Sequence, residues 1–429
     1  MIARRPGAHA LAFIFITVLV DTIGFGIILP VTPELIMELT GEGLSRASTY
    51  GGWLLFAFAI MQFFFGPIIG NLSDHFGRRP VLLLSLAAFG LDYLLMGFSR
   101  TIVWLFIGRA IAGIAGAAYT TATAYIADVT PPEKRAQSFG LVGAAFGVGF
   151  IVGPAIGGLL GGLGARAPFF VAAGLALLNV LYGFFVVPES LPADRRRSFH
   201  WTRAHPLGTL QHLRQYPGVI AMIGAMFVWQ LAHQALPSAW AFYTMFKFGW
   251  SEALVGASLA AAGVTIAIVQ GGLTRVLIPR MGERRAALRG LTLGSLGFFG
   301  YAAAKSTLMM YMFMPIFAFA GLVYPSINGL MSQQVSERSQ GELQGGVASV
   351  YSLSTIIGPP IMTQVFRFFT RDDAPLSIPG APFYLAALLG IVALVLFARA
   401  SRPAEVAIAA AVPTSPKPSA LPTRRARHG

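Results

Sequence analysis

Four ionisable residues stand inside long apolar stretches of this sequence: Asp21, Asp92, Arg109 and His233. An ionised carboxylate at the centre of a hydrocarbon layer costs roughly 2.5–3.5 kcal/mol on insertion scales. Such a residue is kept where it faces water or a partner. Asp21 therefore reads as a proton carrier or cation-binding carboxylate, with a structural hydrogen bond to a neighbouring helix as the alternative. Asp92 and Arg109 fall at similar depth on adjacent segments and read as a buried ion pair. Removing one partner of such a pair strands the other, so Asp92 serves either structure or coupling. His233 lies next to Gln230 and Gln234. Its unperturbed pKa of about 6.5 lets it titrate near neutrality; a hydrogen-bonded structural histidine is the other reading.

Around these groups lie neutral hydrogen-bonding side chains suited to a ligand: Gln62, Gln230, Gln234, Gln270, Asn328 and Gln333. Phe56, Phe63, Trp229, Trp240, Tyr243, Phe317 and Tyr324 offer aromatic faces for stacking, although most aromatics in such a chain pack or face lipid. No phosphate-binding G-x-x-x-x-G-K-[ST] loop occurs, which argues against ATP drive. No cluster has metal-ligand spacing, and the absence of cysteine excludes disulfides and thiolate sites. The expectation is a protein without a cofactor or a bound metal, and not an enzyme.

The elements that position these residues must be membrane helices. The 429 residues are 55% hydrophobic and only 11% charged, against about 25% charged in soluble domains. Mean hydropathy is +0.68. The net charge of +14 sits in short clusters between apolar runs, a membrane-topology pattern rather than a nucleic-acid patch. Arg4 and Arg5 precede the first apolar run as in a signal peptide. That run is too long and lacks a small-residue cleavage site, so it reads as a retained helix. Segments of roughly 20 apolar residues can span the hydrocarbon. Twelve are predicted, at 9–32, 51–72, 80–98, 102–127, 138–162, 168–187, 218–246, 252–277, 286–304, 307–332, 343–367 and 381–400.

The fold class is thus an all-α membrane protein of two six-helix bundles. Residues 1–187 form the N-terminal bundle and 218–400 the C-terminal bundle. The polar stretch 188–217 is the central loop, and 401–429, rich in Pro, Ala and Arg, is a disordered tail. Seven of the 31 Lys and Arg residues fall on one side: Arg46, Arg100, Arg166, Lys247, Lys305, Arg367 and Arg371. All others except Arg109 fall on the side of the termini. The positive-inside rule places both termini and the central loop in the cytoplasm of a multi-pass inner-membrane protein. Helix 5, with GVGFIVGPAIGG at 147–158, and helix 11, with Gly358-Pro359-Pro360, show faint internal similarity. So do the loops GNLSDHFGRR after helix 2 and PRMGERR after helix 8. Such repeats suit secondary transporters.

The run Gly70-Asn71-Leu72-Ser73-Asp74-His75-Phe76-Gly77-Arg78-Arg79-Pro80 resembles the signature loop of the major facilitator superfamily. It lies between helices 2 and 3, on the cytoplasmic side, as that family requires. Gly153-Pro154 with Gly157-Gly158 resembles the antiporter motif of helix 5. Arg109, Gly113 and Tyr125-Ile126-Ala127-Asp128 resemble helix 4 of the drug exporters. Within the superfamily the chain is most similar to the tetracycline/proton antiporter group, through Leu91-Asp92-Tyr93-Leu94 and Ala167-Pro168-Phe169-Phe170 as well.

The resemblance implies a proton-coupled exporter of small amphipathic or aromatic drugs, working as a monomer in the bilayer by alternating access. A facilitator or importer of a polar metabolite is the alternative, against which the helix 5 motif argues. A transporter-derived sensor without transport is a third reading. Arg109 takes the place of an essential arginine, for coupling or for an anionic group. Asp74 would cap the N-terminus of helix 11 near Glu342–Gly346, where the helix dipole favours a negative charge. Arg78 would pair with Asp128, and Gly77 and Arg79 complete this gate. Gly153 and Pro154 either bar leaks between the bundles or simply pack. The C-terminal half departs from the group. Tetracycline exporters carry a His in helix 8 and an Asp in helix 9, at positions that match Ile266 and Gly294 here. Tetracycline is therefore a doubtful substrate, and His233 is the remaining ionisable group of the C-terminal half at that level.

Overall fold

A computed structural model describes residues 8–411 apart from 117, 132–133, 198–214 and 337–338. Among the described residues all regular structure is helical. The N-terminal half contains α1 (Ala8–Ile28), α2 (Thr32–Thr40), α3 (Leu44–Phe76), α4 (Arg78–Gly97), α5 (Ile102–Ala115), α6 (Ala118–Val129), α7 (Arg135–Gly161) and α8 (Ala167–Val186). The C-terminal half contains α9 (Pro217–His233), α10 (Ala235–Phe248), α11 (Glu252–Ile268), α12 (Thr274–Met281), α13 (Glu283–Ala303), α14 (Thr307–Ala318), α15 (Val323–Ser332), α16 (Gln340–Thr370) and α17 (Ala381–Ala411). Eight helical stretches are long and apolar enough to cross a membrane, and up to nine when α1 and the bent α2 count as one. Large apolar side chains such as Leu84, Leu159, Leu178, Phe185 and Met312 point outward from them. Outward-facing apolar surface is what a lipid-embedded bundle presents.

Several predicted spans are bent, divided, or change their winding along a continuous helical stretch. The first, read as 9–32, ends at Ile28, and α2 continues at 49° to it. The segment 102–127 is divided between α5 and α6. The segment 218–246 is divided at Gln234 into α9 and α10. Pro237 has no N–H to offer the His233 carbonyl, so the ladder is interrupted there. A π-turn at Val269–Leu273, holding Gly271 and Gly272, interrupts the segment 252–277. A 3₁₀ turn at Phe319–Leu322 interrupts the segment 307–332. Apolarity alone, the signal read from sequence, does not register these breaks. At the C-terminus α17 runs to Ala411, past the boundary at 400 read from composition. The predicted tail beyond 411 and the arginines of the central loop after 197 lie outside the described residues.

The halves are joined chiefly by α7 against α11 and by α3 against α16, with α3 also meeting α10. These contacts depend on absent side chains. On Gly158 a Cβ would stand 2.5 Å from the Glu252 carbonyl oxygen, and on Gly256 it would collide with the carbonyl oxygen of Pro154. On Gly52 it would collide with Thr363, and on Gly51 it would meet the Phe242 ring at 2.7 Å. These positions lie toward the end of the molecule opposite the chain termini, called here the distal end. Ser45 and Thr370 add a hydroxyl pair at 2.9 Å at that end. Toward the end that bears the termini, the same helices are unpacked. Gly66 and Gly70 of α3, Gly140, Gly143 and Gly147 of α7, Gly271 and Gly272 of the π-turn, and Gly341 of α16 have open space where a side chain would be. The two halves therefore meet at the distal end and part toward the terminal end.

Overpacking a tight contact costs about 1–3 kcal/mol, enough to move a two-state equilibrium by roughly tenfold. Gly256→Val is expected to disfavour the distal-closed arrangement. Oxidative cross-linking of a Ser45→Cys/Thr370→Cys pair checks this: the parent pair should link efficiently, and adding Gly256→Val should slow it by about tenfold.

Candidate functional site

The ionisable residues of the N-terminal half converge from α1, α4 and α5. Asp92 on α4 and Arg109 on α5 form a buried ion pair through Asp92 Oδ2 and Arg109 Nη2. Gly108 makes room for it, since a Cβ there would strike Asp92 Oδ1. Phe58 of α3 lies beside the guanidinium, its ring centre 5.9 Å from Arg109 Cζ. Asp92 Oδ1 and Arg109 Nε are buried without a hydrogen-bond partner, so the pair is incompletely satisfied. Tyr93, the neighbour of Asp92 on α4, packs its hydroxyl 3.0 Å from where a Cβ on Gly24 of α1 would lie. It sits within electrostatic reach of Arg109, Asp92 and Asp21 alike. Tyr93 thus bridges the pair to α1, a role that the sequence did not suggest.

Asp21 differs from Asp92. Its carboxyl is half-buried and has no hydrogen-bond or ion-pair partner among the described residues. A carboxyl that is neither paired nor sealed can exchange a proton without disrupting a network. Gly149, Gly153 and Gly157 of α7 hold α1 close: a Cβ on Gly153 would stand 2.7 Å from the Ile23 carbonyl oxygen. The ring of Pro154 in turn fills the space beside Gly26, where a Cβ would stand 2.7 Å from its Cδ. Gly153 and Pro154 thereby fix α7 between α1 and α11, directly alongside the helix that carries Asp21.

His233 lies at the end of α9, half-buried between aromatic rings. Its ring centre is 6.4 Å from that of Trp229 and 5.8 Å from that of Phe317. It has no hydrogen-bond partner among the described residues. The position matching the missing helix 9 acid is closed: a Cβ on Gly294 would collide with the Trp229 indole and stand 3.1 Å from Ala320 Cβ. An aromatic group of Trp229, Phe298 and Phe317 occupies that level.

The neutral amides do not form one constellation. Gln62 donates to the Gly116 carbonyl at 3.2 Å. Gln234, at the α9–α10 break, packs its stem on Gly358. Gln270 packs its own stem on Gly321, while Gln230 is half-buried on α9. Asn328 pairs with Gln344 near the terminal end, its Oδ1 accepting at 3.2 Å, and Gln333 donates to Glu283 at 2.9 Å. Asn328 and Gln333 are thus apart from the other four. Of the aromatic residues, Trp240 and Tyr243 are core: Trp240 Nε1 donates to Ser258 at 2.9 Å and the Tyr243 hydroxyl to the Tyr301 carbonyl at 2.6 Å.

At the terminal end, Gly77 adopts φ +105°, a conformation open to glycine. Arg78 reaches Asp74 at 2.6 Å and Asp128 at 3.2 Å. The expected cap of α16 by Asp74 is absent here, because the halves are parted and its carboxylate is held by Arg78. A residue unnoticed in the sequence caps α4 instead. Glu189 accepts from the backbone N–H of Arg78 at 2.9 Å and of Arg79 at 3.3 Å. A carboxylate is favoured at such a helix start, yet a lone acid after an apolar run carries no distinguishing pattern. Arg79 donates to the Phe184 carbonyl at 2.6 Å. In the other half, Glu283 follows Gly282 (φ +78°) in the same way, and burial raises its carboxyl above the usual range.

Removing one member of the buried pair should be costly. Asp92→Ala is expected to lower stability by about 3–5 kcal/mol, with Asp92→Asn/Arg109→Gln recovering part of the loss. Thermal unfolding in detergent checks this, and equal melting of all variants would contradict the pair's structural weight.

The comparisons agree with this architecture. The family model of the Major Facilitator Superfamily matches residues 14–359 and 276–427. Tetracycline resistance protein, class C, of Escherichia coli is 38% identical over 385 residues, covering 89% of this chain and 96% of that protein. The class G protein of Vibrio anguillarum is 39% identical, over 86% and 93%. Multidrug resistance protein 2 of Bacillus subtilis is 30% identical, over 80% and 85%. A bacterial homologue of the human lysosomal transporter Spinster, solved inward-facing and occupied, superposes with a TM-score of 0.74 at 16% identity over 93% of this chain and 98% of that one. The human organic anion transporter MFSD10 does so at 0.67 and 24%, over 92% and 100%. The chain belongs to the major facilitator superfamily, a family of multi-pass membrane transporters rather than enzymes.

Proposed function

We propose that this chain exports small amphipathic or aromatic drugs in exchange for protons. It would do so as a monomer of twelve spans in two six-helix bundles, with both termini cytoplasmic. The distal end then faces the periplasm, and the arrangement described above is open to the cytoplasm. The observation that carries the reading is Asp21, a carboxyl without a partner among the described residues, on a helix wedged against α7, in a superfamily member whose relatives are named for drug resistance.

In this mechanism a proton arriving from the periplasm settles on Asp21 while drug leaves. Neutral Asp21 lets the halves close on the periplasmic side, and release to the cytoplasm resets the cycle. The Asp92–Arg109 pair holds α4 and α5 in register and passes the state of Asp21 through Tyr93. Arg78, Asp74, Asp128, Arg79 and Gly77 gate the cytoplasmic end, with Asp74 moving onto α16 when that end shuts. His233 acts as the titratable group of the C-terminal half. Ligand contacts come from Gln62, Gln230, Gln234 and Gln270, with the half-buried rings of Phe56 and Phe63 offered for stacking. Asn328 serves at the cytoplasmic mouth. Because Ile266 and Gly294 carry no charge, tetracycline is expected to be a poor substrate.

Everted vesicles test this. Adding a transported drug should dissipate a preformed pH gradient, and Asp21→Asn should abolish the response while drug binding persists. An unchanged response in Asp21→Asn would remove Asp21 from the role of carrier. Growth across a drug panel, with and without expression, should show protection against amphipathic aromatic compounds and little against tetracycline. Strong protection against tetracycline alone would contradict the reading of the C-terminal half.

A further inference from the structure

The distal seam carries two carboxyl groups that the scheme above does not use. Glu34 belongs to α2 in the N-terminal half, and Glu252 begins α11 in the C-terminal half. Their side chains lie within hydrogen-bonding reach of one another. The contact is built by the packing around it. A Cβ on Gly161 would stand 2.8 Å from Glu252 Cβ and 2.9 Å from Val31 Cγ1, so the stem of Glu252 lies in the notch that this glycine leaves. One turn earlier, a Cβ on Gly158 would stand 2.5 Å from the Glu252 carbonyl oxygen and 3.1 Å from the Ala253 Cα, so only a glycine lets the two backbones meet there. The stem of Glu252 is held in place while α7 and α11 stay packed.

Two ionised carboxylates at that range repel, whereas one proton between them makes a hydrogen bond. The surrounding charges give no substitute for that proton. Glu38, on the next turn of α2, adds to the negative charge on Glu34. Arg166 is committed to Glu38 at 3.1 Å and to the Ser99 carbonyl at 2.6 Å. Glu42 and Arg46 pair with each other at 3.0 Å, and Lys247 is held by the Ala302 carbonyl at 3.0 Å. Arg109 on α5 is engaged by Asp92. Glu252 occupies the first turn of α11, where the helix dipole favours the anion, which assigns the proton to Glu34.

We infer that Glu34 and Glu252 form a second proton site, separate from Asp21, in which one shared proton ties the two halves together at the distal end. Closing that end takes up the proton, and losing it leaves two facing carboxylates that drive α2 and α11 apart. Acid on the distal side would then favour the distal-closed arrangement, and alkali would favour opening.

The chain has no cysteine, so spin labels can be placed by substitution alone. Leu163→Cys and Leu308→Cys put one label on each half at the distal end, at side chains 79% and 71% exposed. Electron–electron distance measurements need no drug, so their outcome is independent of the export reading. They are made with Asp21 present and again in the Asp21→Asn background, from about pH 5 to about pH 9, a range that covers raised carboxyl groups. The short-distance population should dominate in acid and decline by about tenfold relative to the long one in alkali. Glu34→Gln/Glu252→Gln should hold the short distance at every pH, and Glu34→Gln alone should do the same with less disturbance to folding. A parent that keeps the short distance throughout would overturn the inference. So would a pH shift that survives in both variants.

Discussion

A charge inside hydrocarbon must have a partner or reach water, and the rest of this molecule follows from how that condition is met. Asp92 meets it with Arg109, sealed between α4 and α5 and incompletely hydrogen-bonded. Asp21 is half-buried and has no partner among the described residues. The two acids therefore do different work. A sealed pair resists titration because losing either charge strands the other. A carboxyl with no charge partner can gain or lose a proton without stranding another charge. Tyr93 touches the environment of both, so the state of one can be felt by the other.

Glycine sets the second condition. Where the halves meet, Gly51, Gly52, Gly158 and Gly256 allow backbone to lie on backbone. Where they part, the glycines of α3, α7 and α16 face open space. One set of helices is thus packed over part of its length and bare over the rest. Small residues along both portions would let the halves rock between two such contacts without remodelling their interiors. The ion pair at the terminal end agrees with this state, since Asp74 holds Arg78 rather than α16.

Much of this was legible in the sequence, for physical reasons. Apolar length locates segments that must lie in lipid, and helices overlie each of them. Intramembrane acids stand out because they are costly, which is why Asp21, Asp92 and Arg109 could be singled out and the last two paired. The breaks at Gln234, Val269–Leu273 and Phe319–Leu322 were not legible, because hydropathy averages over the one or two residues that interrupt a ladder. Glu189, Tyr93, Glu34 and Glu252 escaped for another reason. Each matters through a partner more than fifteen residues away or on another helix, and one chain read by itself shows no such pairing. The amides fared worst: Asn328 sits with Gln344 near the terminal end, because polarity alone does not say which face of a helix looks inward.

The central claim is that Asp21 exchanges a proton for drug. Its most direct test is proton release by purified protein in weakly buffered detergent solution, followed with a pH indicator as a transported drug is added. The native chain should release protons in proportion to drug bound, and Asp21→Asn should bind drug and release none. Equal release from both, at equal drug occupancy, would contradict the account.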